Sequence, residues 1–422
     1  MLRYDVELAG TFPLSAVLTS GRSAGDDISA SSASLDQPDC SLSVLENFVR
    51  YYCAQHGGSS ATLSILSAFV PSVHSEFAVY LFQAGQYVGS AKWAASARLR
   101  NTYFDTSALS LRAQRMAVRE RRVGRRTLLT VKTVGTSVGG LSRRSEWEAP
   151  RPPGPLDFTR LVDDAVLAEQ LNRVAWQLVP VFRTDFTRRR WLVTHGGAQV
   201  EIALDDGFIT TGDAQGNHRQ RILELELELL DGPVDALLDL AHTLVLGPSG
   251  QTADALRLRP AQRSKAERGY ALFAGDVPQP VKAAPLALRR DMHPVSAFQA
   301  AALACLVHLQ ANEGPATWPG EPAPLPDPEF VHQARVALRR LRTGLRLFRP
   351  HLGSAWVAHW SAEWASVAEV LGRARNWDVL ATEWLPGLLP EAQPGSPAQA
   401  LYDWVHAQRQ QAARQAGEVL AA

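Results

Sequence analysis

Apolar and polar residues alternate along much of the chain between about Arg98 and Leu230. The clearest run is ELELEL, in which Glu224, Glu226 and Glu228 alternate with three leucines. Successive side chains of a β-strand point to opposite faces, so this run predicts a strand with one carboxylate face and one apolar face. Short runs of the same kind are separated by turn signals at Val123-Gly124, Gly139-Gly140, Gly196-Gly197 and Asp206-Gly207. The pattern predicts an all-β domain.

Helical spacing of apolar residues replaces the alternation elsewhere. A helix is expected around Val162 to Trp176 within the β region, and another at Asp235 to Leu246. Helices are expected from Leu286 onward, with a proline-rich loop at 315–328 and an arginine-rich helix beginning near Glu329. The expected organisation is therefore an unassigned region at 1–97, with low complexity between Ser20 and Asp39, a β domain at 98–247, a linker at 248–285 and a helical domain at 286–422.

Bulk composition adds limits to this picture. A chain of 422 residues is too long for one hydrophobic core. Its three cysteines, Cys40, Cys53 and Cys305, form no CxxC pair, which favours a reducing compartment. The start, MLRYDVELAG, lacks the charge pattern of an export signal, so a cytoplasmic protein is expected.

The stretch from Ser60 to Val88 is apolar enough to raise the question of a membrane span. Pro71, His74 and Glu76 interrupt it well short of the roughly 20 apolar residues that a span needs. A buried segment is the preferred interpretation, and no membrane partner is expected.

Charge is the feature that points to chemistry. The formal net charge of +1 hides separate basic and acidic strands. Residues two apart in a strand share a face, which places Arg119 beside Arg121 and Glu146 beside Glu148. Glu201 and Asp205, four residues apart, also share a strand face. Lys132, Arg188 and Arg190 complete the set. Each strand alone is compatible with a solvated outer face, but like charges along a face need counter-charges or ions opposite them.

A closed barrel with facing basic and acidic walls could hold a linear polyphosphate. Guanidinium groups pair with phosphate oxygens, and carboxylates bind Mg²⁺ or Mn²⁺, which links them to the anion. Lys132 is one of only four lysines among 43 basic residues. Chance retention at a surface position remains the alternative explanation for it.

The ordered segments YFDT at 103–106, LRAQRMAVRERR, LTVK, RSEWE at 144–148, FRTDFTRRRW, EIALDDG and ELELEL together resemble the CYTH family of triphosphate tunnel enzymes. The resemblance covers about 98–245, and SKAERGYAL at 264–272 resembles segments that join CYTH to CHAD domains. It implies an α+β multidomain protein, in which an antiparallel eight-stranded β-barrel precedes an α-helical domain.

The resemblance also implies hydrolysis of inorganic triphosphate with Mg²⁺ or Mn²⁺, and it assigns catalytic roles to Lys132 and Glu226. Which carboxylate acts as the general base stays open. The residues expected to hold phosphate are Arg119, Arg121, Lys132, Arg188 and Arg190. The residues expected to hold metal or orient water are Glu146, Glu148, Glu201, Asp205, Glu224, Glu226 and Glu228.

The helical domain carries a second polyanion signal. VHQARVALRRLRTGLRLF, at 331–348, places one basic stripe beside an apolar stripe, and no acid occurs between Glu329 and Glu363. The segment resembles the signature helix of a CHAD domain, a polyphosphate-binding module. Nucleic acid ranks lower because no aromatic residues interleave with the arginines. The expected polyphosphate-binding residues are His332, Arg335, Arg339, Arg342 and Arg346.

Three features depart from these families. An ExExK strand shortly before YFDT is missing: the nearest acidic alternation lies at Asp5 to Ala9, so another segment, such as Ala78 to Phe82, would have to close the barrel. Asn376, in LGRARNWDVL, stands where CHAD domains usually have Asp, and the helical region spans little more than one CHAD half. A polyphosphate-binding protein without catalysis is therefore the alternative, and an adenylate cyclase of the same fold is a third possibility. Oligomeric state stays open.

Overall fold

The structure is a computed structural model that describes residues 2–8, 61–67, 91–133, 136–138, 141–143, 145–213, 216–246, 258–261, 263–313, 327–389 and 394–421. The chain divides into two compact units at Val277/Pro278. The first unit is built on a β-sheet, and the described part of the second is helical. The expected order of an antiparallel β domain followed by a helical domain is thus confirmed.

Within the described residues, twelve strands form the sheet of the first unit. In sheet order they run β6-β7-β1-β12-β2-β11-β10-β9-β3-β4-β5-β8, and the pairings are antiparallel except for β1 with β2. The strands are β1 (Leu2–Leu8), β2 (Ala61–Ser67), β3 (Ala91–Asp105), β4 (Ala117–Val123), β5 (Arg126–Lys132), β6 (Thr136–Val138), β7 (Leu141–Arg143), β8 (Glu146–Pro150), β9 (Val179–His195), β10 (Ala198–Asp213), β11 (Gly216–Asp231) and β12 (Leu258–Ala261).

Chain connectivity bends this sheet round on itself. β5 and β8 lie at one end of the sheet order, whereas β6 and β7 lie at the other. Only a few residues separate Lys132 from Thr136, and Arg143 from Glu146. A residue advances an extended chain by at most about 3.6 Å, so the two ends of the sheet must approach each other. The sheet therefore encloses a concave face, which we call the lumen.

Four helices accompany the sheet: α1 (Ser110–Ala113), α2 (Ala165–Val174), α3 (Val234–Leu246) and α4 (Lys265–Ala274). α2 is followed by a 3-10 turn at Ala175–Gln177, so the helix expected around 162–176 is present but shorter. Helix α3 matches the expectation at 235–246.

Helix α4 lies within the segment 248–285 that the sequence analysis treated as a linker, which corrects that interpretation for these residues. Its Ala266 and Tyr270 belong to one buried apolar cluster with lumen residues of five strands, β3, β4, β9, β10 and β11. Those strand residues are Leu99, Tyr103, Ala117, Val181, Phe182, Phe186, Ile209 and Ile222. The helix contacts β9, β10 and β11 and fills one part of the lumen with apolar side chains.

Two details of the strands differ from the expectations. Asp206-Gly207 is not a turn but lies inside β10. A Cβ at Gly207 would lie 2.2 Å from the carbonyl oxygen of Asp185 on β9, so this glycine permits a close approach of two strands. Strand β2 pairs with β11 on the side away from β10, and its Leu66 lies opposite Glu224. The segment suggested for this place, 78–82, lies outside the described residues.

The described part of the second unit contains α5 (Pro294–Gln310), α6 (Pro328–Phe348), α7 (Ser354–Val379), α8 (Leu385–Leu388) and α9 (Pro397–Ala421). A 3-10 turn at Arg349–His351 precedes α7, and a π-helical segment at Leu380–Trp384 joins α7 to α8. Residues of α5, α6, α7 and α9 share one apolar core. No helix in the described ranges is long and apolar enough to cross a membrane.

Candidate functional site

Three buried carboxylates meet on neighbouring strands of the lumen. Asp205 of β10 lies opposite Glu224 of β11, and Glu226 follows two residues later on the same face. Each can offer an oxygen within 4.8 Å of the oxygens of the other two. Strand alternation explains the arrangement, because the intervening Leu223, Leu225 and Leu227 face the opposite side and are almost fully buried. We call these three residues the acidic cluster.

Three cations contact the acidic cluster. Arg188 of β9 binds Asp205 through two bonds of 2.7 Å and also contacts Glu226. Lys265 of α4 contacts all three carboxylates, with its Nζ 2.9 Å from oxygens of both Asp205 and Glu226. Arg268 of α4 contacts Glu224 and the backbone carbonyl of Arg221. Each carboxylate of the acidic cluster thus has at least one cationic partner among the described residues.

These contacts keep Asp205 ionised. Burial alone would raise the pKa of its carboxyl group, but Arg188 and Lys265 outweigh burial and hold the pKa well below its ordinary value. Burial alone would lower the pKa of the Arg188 guanidinium group. The charge of Asp205 and its hydrogen bonds outweigh burial and raise this pKa above its ordinary value. The pair therefore stays charged in a nearly water-free environment.

A basic wall lies on the other side of the lumen. Arg119 and Arg121 share one face of β4, and Lys132 of β5 is 2.6 Å from Glu146 of β8. Arg119 lies 3.2 Å from Glu146. Nε of Arg121 donates a 3.0 Å hydrogen bond to Oδ1 of Asn101. We call Arg119, Arg121 and Lys132 the basic wall.

One buried donor of the basic wall is unsatisfied. The described ion pairs of its three cations are with Glu146 and Glu148. Among the described residues, the buried Nε of Arg119 has no hydrogen-bond partner. Burial, together with the neighbouring guanidinium groups of Arg119 and Arg188, lowers the pKa of Arg121 to about 9. An anion in the lumen would accept a hydrogen bond from Nε of Arg119 and would favour the charged form of Arg121.

The sequence-predicted residues thus fall into separate groups. Of the seven carboxylates expected at a metal, Asp205, Glu224 and Glu226 come together, while Glu146 and Glu148 pair with the basic wall. Glu201 lies 3.3 Å from Arg190, whose side chain is half-exposed. Glu228 continues the lumen face of β11 opposite Glu201.

Sequence reasoning missed Lys265 and Arg268 because it placed them in a linker. A local signal was present: Ser264 and Glu267 have the spacing of a capping box, which marks the start of a helix. In the structure both halves of the box are made, and Ser264 precedes the first residue of α4. The motif therefore marks the start of α4, and in the structure Lys265 and Arg268 on this helix contact the acidic cluster.

The second unit presents its cations differently. On α6, Ala334, Leu338, Leu341 and Leu345 are buried in the helical core, whereas Arg335, Arg339, Arg342 and Arg346 are exposed. We call these four arginines, with the half-buried His332, the arginine stripe. Within the part of the chain that the structure describes, the four guanidinium groups form no ion pair. Gly372 of α7 lies against the stripe, since a Cβ there would be 3.8 Å from Nε of Arg335.

Family models match both units. The CYTH domain model matches residues 90–270, and the CHAD domain model matches residues 300–422. The chain therefore contains one region that matches the CYTH domain and one that matches the CHAD domain, and these two names are used for the two regions below. The CYTH match extends through Tyr270, so it includes the first part of α4 with Lys265 and Arg268.

An inorganic triphosphatase of Haemophilus influenzae is 34% identical over 174 residues, which are 41% of this chain and 46% of that protein. The match thus spans about half the length of this curated relative. Among solved structures, a Hippeastrum adenylyl cyclase candidate described as having dominant triphosphatase activity matches 52% of this chain and 96% of its own, at 16% identity and a TM-score of 0.34. A Pyrococcus horikoshii protein matches 50% and 97%, at 17% identity and a TM-score of 0.28.

Inside the CHAD domain, Asn376 is exposed, and Asp378, two residues later, is buried. Asp378 accepts a 2.8 Å hydrogen bond from Nε of Arg409 on α9. The acid in this segment thus ties α7 to α9, and the adjoining Arg373 is exposed. The segment contributes to packing as well as to the charged surface.

Proposed function

We propose that the CYTH domain hydrolyses inorganic triphosphate to pyrophosphate and phosphate with Mg²⁺ or Mn²⁺, and that the CHAD domain binds polyphosphate. One observation carries the catalytic proposal. The basic wall has a buried guanidinium N–H, Nε of Arg119, with no partner among the described residues, and it shares a lumen with an acidic cluster. A metal-bound polyphosphate has the complementary charge pattern.

The acidic cluster suits a hard divalent cation. Its three residues offer only oxygen ligands, and these are close enough to share one ion. When bound, Mg²⁺ or Mn²⁺ would neutralise charge on phosphate oxygens and lower the pKa of a coordinated water. Asp205, Glu224 and Glu226 are the residues that would hold it.

The chain's own residues supply the other requirements of phosphoryl transfer. Arg119, Arg121 and Lys132 bind phosphate oxygens of the substrate and orient the chain of phosphates along the lumen. A carboxylate of the acidic cluster, Glu226 in our proposal, accepts the proton of the attacking water. Helix α4 excludes solvent from the apolar part of the lumen, which strengthens these charged interactions.

Phosphate release from inorganic triphosphate, with Mg²⁺ or Mn²⁺ and then with EDTA, tests this proposal. We expect metal-dependent release by the full chain and a loss of at least about 100-fold in Glu226→Gln, the usual size of a general-base effect. Glu169→Gln is the matched control, because Glu169 is exposed on α2 and pairs only with Arg173 among the described residues. Equal rates for Glu226→Gln and wild type would rule out the assigned role.

One observation favours a second candidate, a polyphosphate-binding protein without catalysis. The strand beside Glu224 and Glu226 is β2, whose sequence ATLSILS contains no ionisable residue. An ExExK strand at this position would add carboxylates and a lysine to the lumen. Polyphosphate binding that persists in EDTA, with no phosphate released under any metal condition, would identify this second function.

The CHAD part of the proposal rests on the arginine stripe. Four exposed guanidinium groups on one helix face, without ion-pair partners in the described ranges, form a surface suited to a flexible polyanion. Filter binding of long-chain polyphosphate to the full chain tests it. Substitution of Arg339 and Arg342 by Ala should weaken binding at least about tenfold if each arginine contributes a charged hydrogen bond, while Arg263→Ala, an exposed arginine outside the stripe, should not.

A further inference from the structure

The ammonium group of Lys265 occupies the position that an external cation would need in order to bind the acidic cluster. Its ammonium nitrogen contacts one oxygen from each of Asp205, Glu224 and Glu226, and the lysine is 8% exposed. It forms no hydrogen bond with other described groups. The lysine is thus held by the same three carboxylates that could share a metal ion.

Charge balance makes this position consequential. Among the described residues, the three carboxylates form ion pairs with three cations, Arg188, Lys265 and Arg268, so these six groups together carry no net charge. A divalent ion added to these six groups would give them a net charge of +2. Uncompensated charge in a buried site is strongly unfavourable. Metal binding therefore requires that a cation leaves, that an anion arrives, or both.

Lys265 is the cation best able to leave. Arg188 holds Asp205 through two parallel bonds, and Arg268 is also bonded to the carbonyl of Arg221. The described hydrogen bonds and ion pairs of Lys265 are all with the three carboxylates, its other described contact being with the Phe186 ring, 5.5 Å from Nζ to the ring centroid. Its ammonium group sits on a flexible four-carbon chain. A rotamer change can withdraw it while the backbone of α4 stays in place, since Ala266 and Tyr270 anchor the helix in the apolar core.

We infer that Lys265 is an internal substitute for the metal, which occupies the acidic cluster until metal and phosphate anion enter together. The inference rests on the proposed function in taking the anion to be a triphosphate. Its consequence is that metal alone binds weakly, whereas metal and triphosphate strengthen each other's binding. Linkage requires that the two effects be equal in free energy.

Calorimetric titration of the full chain with Mn²⁺ tests the inference without an activity readout. The titration is done with and without imidotriphosphate, an analogue whose bridging nitrogens resist hydrolysis. In wild type, we expect at least tenfold tighter Mn²⁺ binding in the presence of the analogue. In Lys265→Met, Mn²⁺ alone should bind at least tenfold more tightly than to wild type, and the enhancement by the analogue should shrink.

Two control variants isolate the role of the charge at this position. Lys265→Arg retains the positive charge and should keep weak binding of Mn²⁺ alone. Lys282→Met removes an exposed lysine and should match wild type. If Lys265→Met is unfolded in EDTA, recovery of its folding by Mn²⁺ supports the inference, because the metal then replaces the missing cation. Absence of that recovery, or equal Mn²⁺ affinities of folded wild type and Lys265→Met, overturns it.

Failure of the inference differs from failure of the proposed function. A wild-type chain that releases no phosphate, but binds Mn²⁺ more tightly after Lys265→Met, would refute the proposed catalysis and support the internal cation. A chain that hydrolyses triphosphate while Lys265→Met leaves Mn²⁺ affinity unchanged would do the reverse.

Discussion

Gly269 shows how a single residue of α4 fixes the lumen. A Cβ at this position would lie 2.1 Å from Cε2 of Phe182, which is far inside van der Waals contact. The Phe182 ring cannot give way easily, because Tyr103 stacks on it at 4.4 Å and Tyr270 meets its edge at 5.1 Å. Glycine is therefore required for α4 to reach the depth at which Lys265 and Arg268 contact the acidic cluster.

Gly269→Ala should destabilise the CYTH domain by about 1–3 kcal/mol, the usual cost of overpacking a close-packed core. Urea unfolding measures the change. Gly344→Ala on α6 is the matched control, since the nearest atom to its Cβ would be 3.7 Å away and alanine favours a helix interior. The control should be neutral or stabilising. An unchanged unfolding midpoint in Gly269→Ala would show that α4 can move away from the lumen.

Asp205 gives the fold a dependence on pH. Its folded pKa is held below the ordinary value, chiefly by Arg188 and Lys265 against the opposing effect of burial. A depressed carboxyl pKa contributes stability above the unfolded pKa, about 3.9, and the contribution is lost as the pH falls through the lower folded pKa. The free energy of unfolding should therefore fall more between pH 5 and pH 3 in wild type than in Asp205→Asn. Asp403→Asn, an exposed position on α9, should retain the wild-type slope.

Sequence periodicity was sufficient to predict which residues share a strand face. The alternation of ELELEL placed Glu224 and Glu226 together, and the spacing of Arg119 and Arg121 placed them on one face of β4. Periodicity could not assign partners across the lumen, because the sheet order and register depend on long-range pairing. The separation of Glu146 and Glu148 from the acidic cluster follows from the pairing of β8 with β5, which no local pattern reports.

At the scale of elements, α4 shows why the sequence interpretation was incomplete. The segment around it is bounded by prolines and reads as a linker, and α4 itself has only ten residues. Short helices in isolation are marginal in water, so its stability comes from the lumen that surrounds it. The turn expected at Asp206-Gly207 was wrong for a related reason. Glycine is typical of turns, but Gly207 instead allows β10 to pack closely against β9.

The capping box of α4 should matter to both stability and the position of Lys265. Oγ of Ser264 accepts a hydrogen bond from the backbone N–H of Glu267, and the Glu267 carboxylate accepts one of 2.8 Å from the backbone N–H of Ser264. Ser264→Ala should destabilise the domain by about 1 kcal/mol, whereas Ser264→Asp should not, because Asp is an equally good N-cap. Chemical unfolding measures both. Equal losses of unfolding free energy in Ser264→Ala and Ser264→Asp would mean that the Ser264 hydroxyl stabilises the domain by a contact other than the N-cap hydrogen bond.

At the scale of the whole molecule, the two units place their charges in opposite ways. The CYTH domain encloses its cations in a lumen where carboxylates balance most of them, whereas the arginine stripe of the CHAD domain is exposed and lacks described partners. An enclosed site with paired charges selects short, fully desolvated anions. An exposed stripe attracts long polyanions with a strong dependence on salt. The two units should therefore respond differently to substitution and to ionic strength.

Two variants of the full chain should separate these functions. Arg335, Arg339, Arg342 and Arg346 together changed to Ala should abolish most binding of long-chain polyphosphate at 0.1 M salt, because the loss removes the exposed positive field. Triphosphate hydrolysis should stay within about twofold of wild type, since none of these residues belongs to the lumen. Glu226→Gln should do the opposite, with hydrolysis lost and polyphosphate binding intact. If the four-arginine variant instead lost hydrolysis along with binding, the stripe would be delivering substrate to the lumen, and the two sites would have to be treated as one.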